Sequence, residues 1–208
     1  RFASLPIRNA GTLGGNVANG SPIGDSMPGL IALGATVALR KGDAERELPM
    51  EDFYLSYQKT ALAPGEFLRA VRVPRHRNKP ILFRTYKIAK RFEQDISAVC
   101  AAFALELDGS RVNKARVAFG GMAATPKRAP ACESALIGQP WNETTARHAA
   151  AAMATDFQPL DDLRASAAYR LEVAGQLVVR CWLESCGLPR APVRIEALAP
   201  IAVARPVA

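Results

Sequence analysis

Residues 11–25 read GTLGGNVANGSPIGD. Glycines alternate there with Thr12, Asn16, Asn19, Ser21 and Asp25, a density of permissive backbone and hydrogen-bonding side chains beyond what a change of direction requires. The pair Gly14-Gly15 lets a ligand approach the backbone closely and tolerates positive φ. Successive N–H groups in such a turn form a concavity suited to phosphate oxygens. Thr12 and Asn16 stand at its rims, and Asp25 is placed to accept from a ribose hydroxyl. A tight turn with capping residues explains the same pattern, and the spacing alone leaves both readings open.

Working outward, MPGLIALGA is short, apolar and helix-compatible, and ATVALRKGDAERELPM reads as two strands about the turn KGDA. A loop and then a strand ending at Pro74 follow. Residues 75–80, RHRNKP, are charged and proline-flanked and form the best boundary, giving segments 1–75 and 81–187. Beyond it, SAVCAAFALELDGSRVNKARVAFGGMA predicts a hairpin turning at LDGS and a break at Gly120-Gly121. ACESALIG predicts a helix stopped by Gly138, NETTARHAAAAMATDF one capped by Asn142, and DLRASAAYRLEVAGQLVVRCWLES a longer amphipathic one. Residues 188–208 are proline-rich without a period and read as an extended tail.

Composition limits the function classes. Of the 208 residues, 49% are hydrophobic, enough for a sizeable core, and no apolar run reaches the roughly 18–20 residues of a membrane span. The chain is therefore expected to be soluble, with no membrane partner. The net charge is +8, but the basic residues are scattered and no basic stripe alternates with aromatics, so nucleic acid is not an expected partner. The four cysteines form no CxxC pair and are read as small buried hydrophobes in a reducing cytoplasm. His76 and His148 lack partners at catalytic or metal spacing, so no metal site is expected. Nucleophile-elbow, Walker A and GxGxxG patterns are missing as well. The start at Arg1, in mid-motif, suggests a segment of a larger polypeptide.

Two further stretches carry dense polar chemistry. YKIAKRFEQDIS, residues 86–97, sets Lys87, Lys90, Arg91, Glu93 and Asp95 beside aromatics; a solvated loop with weak ion pairs is its plain alternative. FGGMAATPKR, from Phe119, offers another glycine pair, or simply a strand-ending turn.

In this order and spacing, TLGGNVANGSPIGD, YKIAKRFEQDISAV and FGGMAATPKRA resemble the flavin subunits of the molybdenum hydroxylases, most of all the bacterial xanthine dehydrogenase type. The resemblance covers residues 1–186. It implies an α+β fold: the second half of a vanillyl-alcohol-oxidase/MurB-type (PCMH) FAD-binding domain, then an α+β C-terminal domain of the CO dehydrogenase flavoprotein type. It implies FAD as cofactor, held by Phe2, Thr12, Leu13, Gly14, Gly15, Asn16, Asp25, Leu68 and Lys87. Lys87 is expected to favour the anionic reduced flavin. Arg91, Gln94 and Asp95 match the loop governing access to the flavin. Some animal relatives carry an acid where Gln94 stands, so electrostatic gating through that position is not carried over.

The chemistry is the flavin's, and no catalytic protein side chain is expected. The implied partners are an N-terminal iron–sulfur/FAD segment of the same subunit and a molybdopterin-binding large subunit, in a cytoplasmic heterotetramer or its multiple. The 2Fe-2S clusters and molybdopterin would lie outside this chain, with NAD as electron acceptor and a purine as substrate. Carbon monoxide, aldehyde or N-heterocycle hydroxylation is the alternative within the family. A non-catalytic basic interaction module is the alternative outside it.

Overall fold

The computed structural model describes residues 3–75, 80–91 and 96–187. Phe2, His76, Gln94, Asp95 and the 188–208 tail lie outside the described residues.

The first unit begins with three short helices, α1 (Leu5–Ala10), α2 (Leu13–Asn19) and α3 (Ser26–Ala32). Thr12 caps α2, its Oγ1 accepting from Gly15 N at 3.0 Å, and Gly20 ends it in the left-handed region at φ 63°. Strands β1 (Thr36–Lys41) and β2 (Ala44–Pro49) turn at Gly42-Asp43, as KGDA predicts. A helical turn α4 (Met50–Phe53) and a small hairpin, β3 (Tyr54–Ser56) with β4 (Lys59–Thr60), stand where the sequence suggests a loop. The buried Met50 and Phe53 explain α4, because tertiary burial holds a turn that propensity alone cannot. Strand β5 (Phe67–Arg72) completes an antiparallel sheet of order β2-β1-β5.

The second unit is an antiparallel sheet of order β6-β7-β8-β9, made of Ile81–Ile88, Val99–Asp108, Arg111–Gly120 and Lys127–Arg128. Helices α5 (Pro130–Leu136), α6 (Glu143–Ala152) and α7 (Ala167–Ser185) cover one face. Asn142 caps α6 through Thr145 N at 2.9 Å. Helix α7 starts later than its apolar pattern suggests, because Ser166 Oγ captures Tyr169 N at 3.2 Å and fixes the first turn there.

Strand β7 explains how the units join. Val99, Ala101, Phe103 and Leu105 enter the core beneath the helices, while Ala102 and Ala104, with Ala118 of β8, belong to the core built around α3. Alanines on that face let α3 lie close to the sheet, so the sheet is buried on both sides. Three edge-on aromatic contacts, Tyr86–Phe103, Phe103–Phe119 and Phe119–Phe157, run through the helix-side core with centroids 5.9, 5.9 and 5.4 Å apart. Cys100, Cys132 and Cys181 are buried as expected, but Cys186 just beyond α7 is exposed. No helix among the described residues is long and apolar enough to cross a membrane, and none of their His, Cys, Asp and Glu side chains gather in a group able to hold a metal.

Candidate functional site

The stretch TLGGN is the first turn of a helix rather than a loop. Neither Gly14 nor Gly15 has positive φ, so the conformational reason expected for the pair does not apply. The two glycines answer to different constraints. A Cβ on Gly15 would come within 2.8 Å of Thr12 Oγ1, so any side chain there must displace the capping hydroxyl. A Cβ on Gly14 would meet only Leu68 Cδ2, at an ordinary 3.6 Å. The fold therefore tolerates a side chain at Gly14, and its bare backbone suits close approach by a ligand at a helix N-terminus, where N–H groups favour anions.

From α2 the polar chain runs into α3. Asn16 Oδ1 accepts from Ser26 Oγ at 2.5 Å, tying the glycine turn to the residue after Asp25. Asp25 in turn gathers three donors: Lys87 Nζ of β6 at 2.7 Å, Ala3 N at 3.3 Å and Ser97 Oγ. The pair is sheltered, with side-chain exposures of 14% for Lys87 and 11% for Asp25. Its members were expected to serve a ligand separately, yet each is first the other's partner. The Lys87 charge is locally compensated, which weakens the electrostatic pull expected of it alone, and Nζ keeps ammonium donors beyond the one given to Asp25. Cys100 Sγ donates to Asp25 O, and burial, reinforced by the Asp25 charge and partly opposed by Lys87, pushes that thiol up to about 12.

The third glycine-rich stretch closes against the first. Gly121 N donates to Pro22 O at 2.8 Å, and Gly121 sits at φ 81°. Beside this crossing opens a cleft of about 550 Å³, walled by Pro22, Ile23, Tyr57, Gly121, Arg164 and Arg170 among others. Asp162 holds both arginines, accepting from Arg164 Nη1 at 2.9 Å and Arg170 Nη2 at 2.7 Å.

The structure thus brings Thr12, Leu13, Gly14, Gly15, Asn16, Asp25, Leu68 and Lys87 into one connected set. Arg91 is exposed at the edge of the described residues; Phe2, Gln94 and Asp95 fall outside them. Sequence reasoning missed Ser97 and Arg170. Ser97 was visible only as the end of a polar loop, and Arg170 as one more charge on an amphipathic helix.

Comparison with known proteins matches both segments of the chain to family models. Residues 1–76 match the FAD binding domain in molybdopterin dehydrogenase, and residues 84–185 match the CO dehydrogenase flavoprotein C-terminal domain. Nicotinate hydroxylase hnxS of Emericella nidulans is 37% identical over 187 residues, 87% of this chain and 14% of that protein. Xanthine dehydrogenase of the same organism is 36% identical over 143 residues, 68% of this chain and 10% of that protein. Among solved structures, carbon monoxide dehydrogenase from Hydrogenophaga pseudoflava, in a form lacking the Mo-pyranopterin moiety of its cofactor, superposes with a TM-score of 0.81 at 31% identity. That match covers 86% of this chain and 62% of the other. The chain therefore spans a small part of the two fungal relatives and under two thirds of the superposed chain.

Proposed function

The chain belongs to the flavin subunits of the molybdenum hydroxylases, and from that premise we propose that it forms part of an FAD site working between a molybdenum centre and a soluble acceptor. The observation carrying this reading is the continuous polar path from the α2 N-terminus through Asn16 and Ser26 to the Asp25–Lys87 pair. The residues fit the cofactor. The bare Gly14 edge and the capped first turn of α2 suit a pyrophosphate, and Asp25 Oδ1, accepting from Ser97, keeps a lone pair for a hydroxyl.

Held by the α2 turn, Asp25 and Lys87, FAD would supply redox chemistry able to link one-electron 2Fe-2S donors of the molybdenum assembly to a two-electron acceptor such as NAD+. The chain's own residues bind and orient. Thr12 rigidifies the phosphate turn, Leu68 supports it from β5, and Asp25 holds Lys87 in one place. Arg91, Gln94 and Asp95 are proposed to govern access, and Phe2 to lie against the cofactor. The cleft beside Pro22 and Ile23, with Arg164 in its wall, offers an anionic acceptor a way to the same loop. The molybdopterin-binding large subunit and the N-terminal iron–sulfur segment are the proposed partners, in a cytoplasmic hetero-oligomer.

We propose xanthine dehydrogenase activity, with purine substrates, for the complete assembly. A specific observation favours a second reading, hydroxylation of an N-heterocycle such as nicotinate, since that similarity extends over 187 residues. Assay of the holoenzyme with hypoxanthine, xanthine, nicotinate and aldehydes separates the two.

The FAD reading is tested on the full subunit by the flavin released on denaturation. Gly14→Val is expected to lower flavin occupancy about tenfold or more, with the thermal midpoint shifted by only a few degrees, as for a substitution outside the core. A colourless wild-type subunit, or unchanged occupancy in Gly14→Val, counts against the site; colourlessness favours a non-catalytic interaction module.

A further inference from the structure

We infer that Arg170, on α7 of the second unit, is a positioning residue for the ligand-facing groups of the first, an inference that rests on the FAD reading above. Arg170 is only 2% exposed, an unfavourable place for a guanidinium unless its surroundings are built to receive it. Nη2 pairs with Asp162, whose other oxygen holds Arg164. Nη1 donates to two backbone carbonyls, Ala98 O and Gly121 O, the latter at 3.0 Å.

Both carbonyls lie one step from the site. Ala98 follows Ser97, whose hydroxyl donates to Asp25 and so helps fix Lys87. Gly121 donates its own N–H to Pro22 O, three residues before Asp25. One guanidinium thus braces the Ser21–Asp25 loop from two directions, through β7 and through the β8 turn. The crossing is built for it: a Cβ on Gly121 would overlap the Ala98 carbonyl oxygen and stand 3.2 Å from Arg170 Nη1. Nε is buried with no hydrogen-bond partner among the described residues, so the guanidinium sits there with one donor unmet. The contact with Asp162 stays within the segment leading into α7, so it ties the helix to no other element. The planar fork, which a lysine cannot reproduce, lets Nη1 serve both carbonyls while Nη2 holds Asp162.

The test uses the full subunit in its holoenzyme, with Arg170→Lys, Arg170→Met and Gly121→Ala. Losing the brace is expected to raise backbone hydrogen exchange about tenfold in residues 21–25 and 97–100, the scale of one charge-assisted hydrogen bond. FAD affinity of the flavin-stripped subunit should fall by a similar factor, with an altered visible dichroism of the bound flavin. Arg170→Lys should lie between wild type and Arg170→Met, and carries the test where Arg170→Met does not fold. Gly121→Ala should loosen 97–100 while leaving α7 protected. Overturning the inference would be faster exchange confined to residues 167–185, with the two loops and FAD affinity unchanged. A wild-type subunit without flavin defeats the FAD reading alone, since loop exchange still decides whether Arg170 braces the loop.

Discussion

Asp25 and Lys87 are 62 residues apart, and each became interpretable only beside the other. Removing one leaves its sheltered partner unpaired, which is costlier than losing an exposed pair. The same logic applies at Asp162. Partial burial, the largest influence on its carboxyl, works to raise its pKa. The Arg164 and Ala165 N–H groups, the Arg164 side chain and the Arg170 charge outweigh it and hold the group at about 2 against an ordinary 3.8. A carboxyl depressed in the folded state stabilises it fully above pH 3.8, and that contribution disappears as the pH falls through about 2. Between pH 5 and 2 the thermal midpoint of wild type should therefore drop more steeply than that of Asp162→Asn. Parallel curves by circular dichroism would show that the carboxylate adds no folded-state stabilisation.

Among the elements, β7 is the most informative. Its alternation sends Phe103 and Leu105 towards the helices and Ala102 and Ala104 towards α3. Phe103→Ala, which removes a fully buried ring from the chain of aromatic contacts, is expected to cost about 3–5 kcal/mol in denaturant unfolding. Ala102→Leu adds volume where there is none and should cost about 1–3 kcal/mol. The two differ in where protection is lost: across the helix-side core for Phe103→Ala, and in α3, next to Asp25, for Ala102→Leu. Equal effects on α3 would contradict the two-sided burial. Helix α2 is a different case. Seven residues are too few to persist by propensity, and the Thr12 cap, the Gly20 stop, buried Val17 and the Tyr54 hydroxyl donating to Val17 O at 3.2 Å hold it.

For the whole molecule, the junction of the two units carries the site, because Asp25 and Lys87 come from opposite sides of it. Apolar packing of α3 on the alanine face is supplemented by ion pairs. Arg116 of β8 donates to Ile31 O and to Glu51 of α4 at 2.6 Å, and Arg128 reaches Glu51 at 3.5 Å while pairing with Glu133. A double-mutant cycle on Glu51→Ala and Arg116→Ala should give a coupling of about 1–2 kcal/mol, as for residues in one network. If the junction works as a unit, the double variant should also show unequal melting of the two units by hydrogen exchange. A coupling near zero would make the ion pairs incidental to it.

Much was legible in the order of residues. Strand-like apolar runs marked β7 and β8, Gly109-Ser110 their hairpin, Asn142 a helix start and Gly138 a helix end. These are local effects, written within a few residues of where they act. The three glycine and charge motifs left a ligand and a plain turn or loop both open, and only their joint resemblance to a family favoured the ligand and gave its class. The sequence could not show that TLGGN is helical, that α4 exists, or that Lys87 spends its charge on Asp25. Nor could it show that Ser97, Gly121 and Arg170 converge on one loop. Each depends on partners tens of residues apart, whose meeting is set by how α3 packs on the sheet. Sequence determined the strands and helices of the second unit and, by resemblance, the class of ligand to expect, because caps and turns are short-range. Tertiary structure alone decided which charges neutralise each other and which residue braces the site, because burial and distance exist only once the two units have closed.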